Sequence, residues 1–164
     1  MSKPYEYLSV LVTPDKVAYV DAEDYDRVNR YKWSATKQRD TWCARSRRMV
    51  NGKTTQYLLH RIVLNAAPGI VVDHKNRNGL DCRKTNLRIA TTSQNLQNRG
   101  KTVSNKSGFK GVTWRSWARK WGAEIKANGK RFWLGYYRNK KDAARAYNQK
   151  AIEVHGEFAR LNEV

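Results

Sequence analysis

Apolar residues in the first seventy positions fall in short runs parted by polar turns: "YEYLSVLV" from Tyr5, "VAYVD" from Val17 and "TWCARSRRMV" from Thr41. Each has the length and β-branched content of a strand, and the Asn51-Gly52 pair that follows the third marks a two-residue hairpin. Between the second and third, "DAEDYDRVNRYKW" sets acids before bases, as a short helix prefers. "YLLHRIVLN" suits strand or helix, and its periodicity does not separate the two. The pattern predicts a small module of mixed α+β class.

Further along, "SGFKGVTWR", "KWGAEIKAN" and "KRFWLGYYR" read as three strands, the last two joined by Asn128-Gly129. A type I′ turn there, with φ > 0 at both central residues, fixes the register. Ala127 should oppose Lys130, Lys126 oppose Arg131, Ile125 oppose Phe132, Glu124 oppose Trp133, and Trp121 oppose Tyr136. One face then carries Trp121, Ala123, Ile125, Phe132, Leu134 and Tyr136 as a core. The other carries Glu124, Lys126, Arg131 and Trp133. Two cations directly opposite each other cost stability unless an anion lies over them, which marks a binding face. A helix should follow from about Asn139 to His155, with Asn139 as N-cap, Asp142 in the first turn and Gly156 at the left-handed end position. Ala144, Tyr147, Ala151 and Val154 form its buried stripe, and His155 is expected to be structural.

Between these regions "GIVVDH" reads as a strand ending at His74, "NLRIAT" as a strand starting at Asn86, and "TSQNLQNR" as a helix capped by Thr92 or Ser93. This is a ββα unit over about 70–99. Asp73, Asn95 and His74 supply it with a carboxylate, a helical amide and an imidazole, the groups needed to hold a hard divalent cation and activate water. The segment "RGKTVSNKSG" after it has a linker composition.

Charge narrows the partner. The 164 residues hold 33 Lys and Arg against 14 Asp and Glu, a net charge of +19, which calls for a polyanion. No run approaches the length of a membrane span and no apolar leader follows Met1, so a cytoplasmic place in a bacterial or phage-infected cell is expected, with no membrane partner. Cys43 and Cys82 are too few for a disulfide framework or a paired-cysteine zinc site. His60, alone in an apolar run, is left out of the site.

Two resemblances sharpen these expectations. "FKGVTWRSW", "KWGAEIK", "RFWLGYY", "DAARAYNQKA" and the terminal "LN" resemble the plant Apetala/ethylene-response-factor DNA-binding domain over about 108–162. The likeness implies a three-stranded antiparallel sheet packed on one helix, with the sheet in the major groove of double-stranded DNA. It implies DNA contacts by Lys110, Thr113, Arg115, Trp117, Glu124, Lys126, Arg131 and Trp133. Lys110, Lys126 and Thr113 stand where that family usually has Arg. The stretch "VDHKNRNGLDCRKTNLRIATTSQNLQNR" resembles the HNH motif of phage and intron-encoded homing endonucleases. That likeness implies one magnesium or manganese ion on Asp73 and Asn95, His74 as general base, and Asn86 pinning the loop between the strands. It also places Arg88 and Arg99 near the phosphate.

The expected organisation is therefore an HNH nuclease domain over 1–98, a basic linker over 99–107 and an Apetala-type domain over 108–164. The expected function is metal-dependent hydrolysis of phosphodiester bonds in duplex DNA by a site-selective nicking or homing endonuclease. One such site cuts one strand per engagement, so a monomer nicks and a weak dimer is needed for a double-strand break. Two alternatives stay open: a DNA-binding regulator with a decayed nuclease site, and an RNA-binding protein preferring single strands.

Overall fold

The computed structural model describes residues 7–38 and 41–164. Tyr5 and Glu6 of the first expected strand lie outside them. The chain is of mixed α/β class, with several small sheets and few helices. It divides into two compact units, the first ending at Thr92 and the second spanning Ser93–Val164.

In the first unit β1 (Tyr7–Thr13) and β2 (Lys16–Asp21) pair antiparallel, and α1 (Ala22–Asn29) follows. β3 (Ser34–Gln38), β4 (Thr41–Val50) and β5 (Lys53–Leu58) form a sheet in that order, with Val50 opposite Lys53 across the Asn51-Gly52 turn. β3 was not anticipated because "SATKQ" has no apolar alternation; β4 supplies its pairing. The ambiguous "YLLHRIVLN" is both things at once. Tyr57 and Leu58 end β5, and Leu59–Val63 form the single turn α2. β6 (Val71–His74) and β7 (Leu87–Ala90) make an antiparallel pair. One core joins these pieces: Val10, Val20, Val28, Trp33, Leu59, Val72, Cys82 and Leu87 belong to the same buried cluster.

α3 (Thr92–Gln97) runs across the division into the second unit. There β8 (Val112–Arg115), β9 (Lys120–Ala127) and β10 (Lys130–Tyr137) form a sheet with β9 in the middle, and α4 (Lys140–His155) follows. Asn139 caps α4 by accepting the Lys141 amide at 2.8 Å. Ala143 and Ala144 share a buried cluster with Val112 and Ala123, and Tyr147 and Ala151 share another with Ile125. Small side chains on the helix stripe allow that close approach. The expected linker is not bare tether throughout. Asn105 Nδ2 and Ser107 Oγ both donate to the Phe109 carbonyl, at 2.8 and 2.9 Å, and Ser107 is buried.

The β9–β10 register follows the turn-based expectation from Lys130 to Trp133 and then departs from it. A bulge between Trp133 and Gly135 puts Tyr137, not Tyr136, opposite Trp121. Gly135 absorbs the extra residue at φ +114, a conformation side-chain-bearing residues rarely adopt. Tyr136 is thereby corrected from the core to the outer face, and Tyr137 packs inside.

Candidate functional site

The β6–β7 pair sets Asp73 directly across from Arg88. Arg88 donates to Asp73 Oδ2 from Nε at 2.9 Å, and its Nη2 lies 2.8 Å from the same oxygen. Both side chains are nearly buried, at 10% and 6% exposed. Arg88, expected on phosphate, thus has its guanidinium turned on the carboxylate expected to hold metal.

His74 ends β6. Its imidazole is packed edge-on against His60, with ring centroids 5.0 Å apart, and its Nε2 lies 3.8 Å from Cys82 Sγ. Burial pushes His74 down to about 4, against the opposing pull of Asp73 and Asp81. The ring is consequently neutral at ordinary pH, as a proton acceptor must be. His60, set aside on sequence grounds, is buried on α2 in ring contact with the candidate base, and its Nδ1 has no hydrogen-bond partner among the described residues. The one signal for it was a polar residue held within an otherwise apolar run.

The asparagine-rich loop from Lys75 to Asn86 is a hydrogen-bonded construction rather than a stretch lacking structure. Buried Asn86 accepts the Asn76 amide at 3.0 Å and donates to the Asp81 carbonyl at 2.7 Å. Asn76 donates to Asp81 Oδ2 at 2.8 Å and accepts the Asn78 amide at 2.8 Å; Asn78 accepts the Leu80 amide at 3.1 Å. Short amides suit this because they bond the backbone one or two residues on, and poor propensity for helix or strand goes with that habit. Asp81, held well below the usual carboxylate range by Arg83, fixes the other end, where the Tyr19 amide meets the Leu80 carbonyl and the Cys82 amide meets Tyr19.

Asn95 lies on α3, and Arg99 just past its end, both in the second unit. Among the described residues no three or more His, Cys, Asp or Glu gather as a metal cage. The Asp73 carboxylate and the Asn95 amide are each hard oxygen donors of the kind that suits magnesium, which takes few protein oxygens and leaves its other positions to water and phosphate.

On the outer face of the β8–β9–β10 sheet, Glu124 Oε2 lies 3.3 Å from Arg115 and 3.8 Å from Arg131. Lys126 stands opposite Arg131, as the turn required. Thr113 is exposed on β8, and the Arg115 guanidinium lies 5.8 Å from the Trp133 ring centre. Tyr136 meets Trp133 at 4.7 Å and Trp117 at 5.3 Å, giving three exposed rings in a row. Tyr136 escaped sequence reasoning because a bulge leaves no mark in the alternation of apolar and polar residues. Lys110 has its ammonium on carbonyls of its own unit, those of Gln97 and Arg99. His155 is buried and contacts the Lys126 carbonyl at 3.0 Å.

Residues 57–97, from β5 to the end of α3, match the family model described as HNH endonuclease. An uncharacterized HNH endonuclease of Acanthamoeba polyphaga mimivirus is 30% identical over 153 residues, covering 90% of this chain and 75% of that protein. Protein 3.8 of Escherichia phage T7 is 33% identical over 93 residues, 57% of this chain and 76% of that one. An ethylene-responsive transcription factor of Arabidopsis thaliana is 37% identical over 98 residues, 57% of this chain and 59% of its own length. No helix among the described residues is long and apolar enough to cross a membrane.

Proposed function

We propose, since this chain belongs to the HNH endonuclease family and has an Apetala-type second half, that it is a metal-dependent endonuclease that nicks duplex DNA at selected sites, in the manner of a homing enzyme. The observation that carries this reading is the end of β6, where His74 stands next to Asp73 beside a loop tied down by Asn86.

His74 takes the proton of a water molecule as its oxygen attacks phosphorus. The new P–O bond forms as the bond to the 3′ oxygen breaks, and that oxygen leaves with a proton from solvent. A magnesium or manganese ion on Asp73 and Asn95 would supply positive charge to the phosphoryl oxygens and the leaving oxygen. Arg88 fixes the Asp73 carboxylate in place. Asn86 holds the loop after His74, which keeps the imidazole at the strand end. The outer sheet face, with Thr113, Arg115, Trp117, Glu124, Lys126, Arg131 and Trp133, lies against the duplex. Its cations neutralise phosphate, so affinity falls steeply as salt rises. Arg99 is exposed and is assigned to phosphate near the cut.

Supercoiled plasmid incubated with the protein and magnesium tests this, with EDTA and His74→Ala as controls. Open circles that require both metal and His74 are the expected result. DNA that is retarded but intact in every lane would leave a DNA-binding regulator in place of a nuclease.

A further inference from the structure

We propose that Lys110 is a positioning residue that fastens the Asn95-bearing helix α3 to the body of the second unit, and that it does not contact DNA. The inference rests on the nuclease reading above for the purpose of α3. The Lys110 ammonium donates to the Gln97 carbonyl and, at 2.7 Å, to the Arg99 carbonyl. The last carbonyls of a helix have no partner within it, and the lysine satisfies the final one, of Gln97, together with the Arg99 carbonyl just beyond. The six residues of α3 are too few to hold a helix by propensity, so tertiary contacts set its place.

Lys110 is itself held from behind. Its amide donates to Asn162 Oδ1 at 2.7 Å, and its carbonyl accepts from Asn162 Nδ2 at 3.1 Å. Asn162 exchanges a second pair of bonds with Asn148 of α4: its amide donates to Asn148 Oδ1 at 2.7 Å, and Asn148 Nδ2 donates to its carbonyl at 2.8 Å. A continuous bonded path therefore runs from α4 through Asn162 and Lys110 to the end of α3. Asn95, two residues before Gln97, moves with the sheet that grips DNA. Grip and presentation of this amide become one event, which a free tether over 99–107 would not give.

The resemblance to plant factors implies the opposite role for Lys110, and the two roles separate by experiment. Lys110→Met keeps the stem and removes the donors; Lys110→Arg keeps donors of similar reach. In the full chain without metal, amide hydrogen exchange at Asn98 and Arg99, which donate to Gln94 and Leu96 at the end of α3, should quicken about tenfold in Lys110→Met and stay near the parent rate in Lys110→Arg. Duplex affinity and its salt slope should not change in either. Magnesium-dependent turnover should fall about a hundredfold in Lys110→Met alone. Unchanged exchange, together with weaker DNA binding and a salt slope reduced by about one in Lys110→Met, would make Lys110 a phosphate contact and overturn the proposal. A parent protein that cuts no DNA with any divalent ion would sink the nuclease reading, and the exchange and affinity data would still decide what Lys110 holds.

Discussion

Trp133 lies over Gly122 on the outer sheet face so closely that a Cβ at position 122 would sit 2.5 Å from the indole Cη2. Gly122 therefore makes room for the ring, and the ring's outward pose depends on the missing side chain. Gly122→Ala should displace Trp133 and with it the edge-on contact with Tyr136. Overpacking of this kind costs about 1–3 kcal/mol, read as a lower urea midpoint, and duplex affinity should fall with it. Retention of parental affinity in the alanine variant would mean that Trp133 does not touch DNA.

The Asp73–Arg88 pair makes a second, sharper prediction. A nearly buried carboxylate that loses its cation keeps its desolvation cost and forfeits the compensation, a loss of about 3–5 kcal/mol. Arg88→Met should lower the unfolding free energy by that order at neutral pH, and Asp73→Asn combined with it should recover a large part. Plasmid nicking should vanish in both. Were Arg88 a phosphate-binding residue instead, Arg88→Met would leave stability unchanged and weaken only DNA binding.

Much of the architecture was legible because it is written in local rules. Asn128-Gly129 dictated a turn, the turn dictated register, and register placed Lys126 opposite Arg131 and Glu124 opposite Trp133. The same rule failed beyond Trp133, because the bulge at Gly135 is a backbone choice that alternation does not encode. Strand β3 was invisible because its pairing comes from β4 and not from its own side chains. The contact His60 makes was hidden for a related reason. Its setting is apolar along the chain, but the fold brings a second histidine against it. That contact between two separate elements lies outside any local pattern of the sequence. The bonds of Arg88 and Lys110 are likewise made to groups that motif position alone does not name.

His60 also dictates how stability depends on pH. Burial pushes it down to about 3, with the neighbouring His74 and Arg61 adding to the effect. The unfolded chain takes up this proton below about pH 6.5, whereas the folded chain refuses it until far lower. The unfolded state thus binds more protons in the window between, so stability falls as pH falls. The contribution is complete above the unfolded value and is lost on the way down to about 3. One such group gives a slope of about 1.4 kcal/mol per pH unit. His74 and His155, both lowered chiefly by burial, tilt the curve in the same direction. Urea unfolding between about pH 6.5 and pH 4.5 lies above the range where carboxylates dominate and isolates the histidines. His60→Asn should flatten the curve there by nearly one proton's worth while leaving the other two contributions. An unaltered slope would mean that His60 takes up its proton in the folded chain as readily as in the unfolded one, with water reaching its Nδ1.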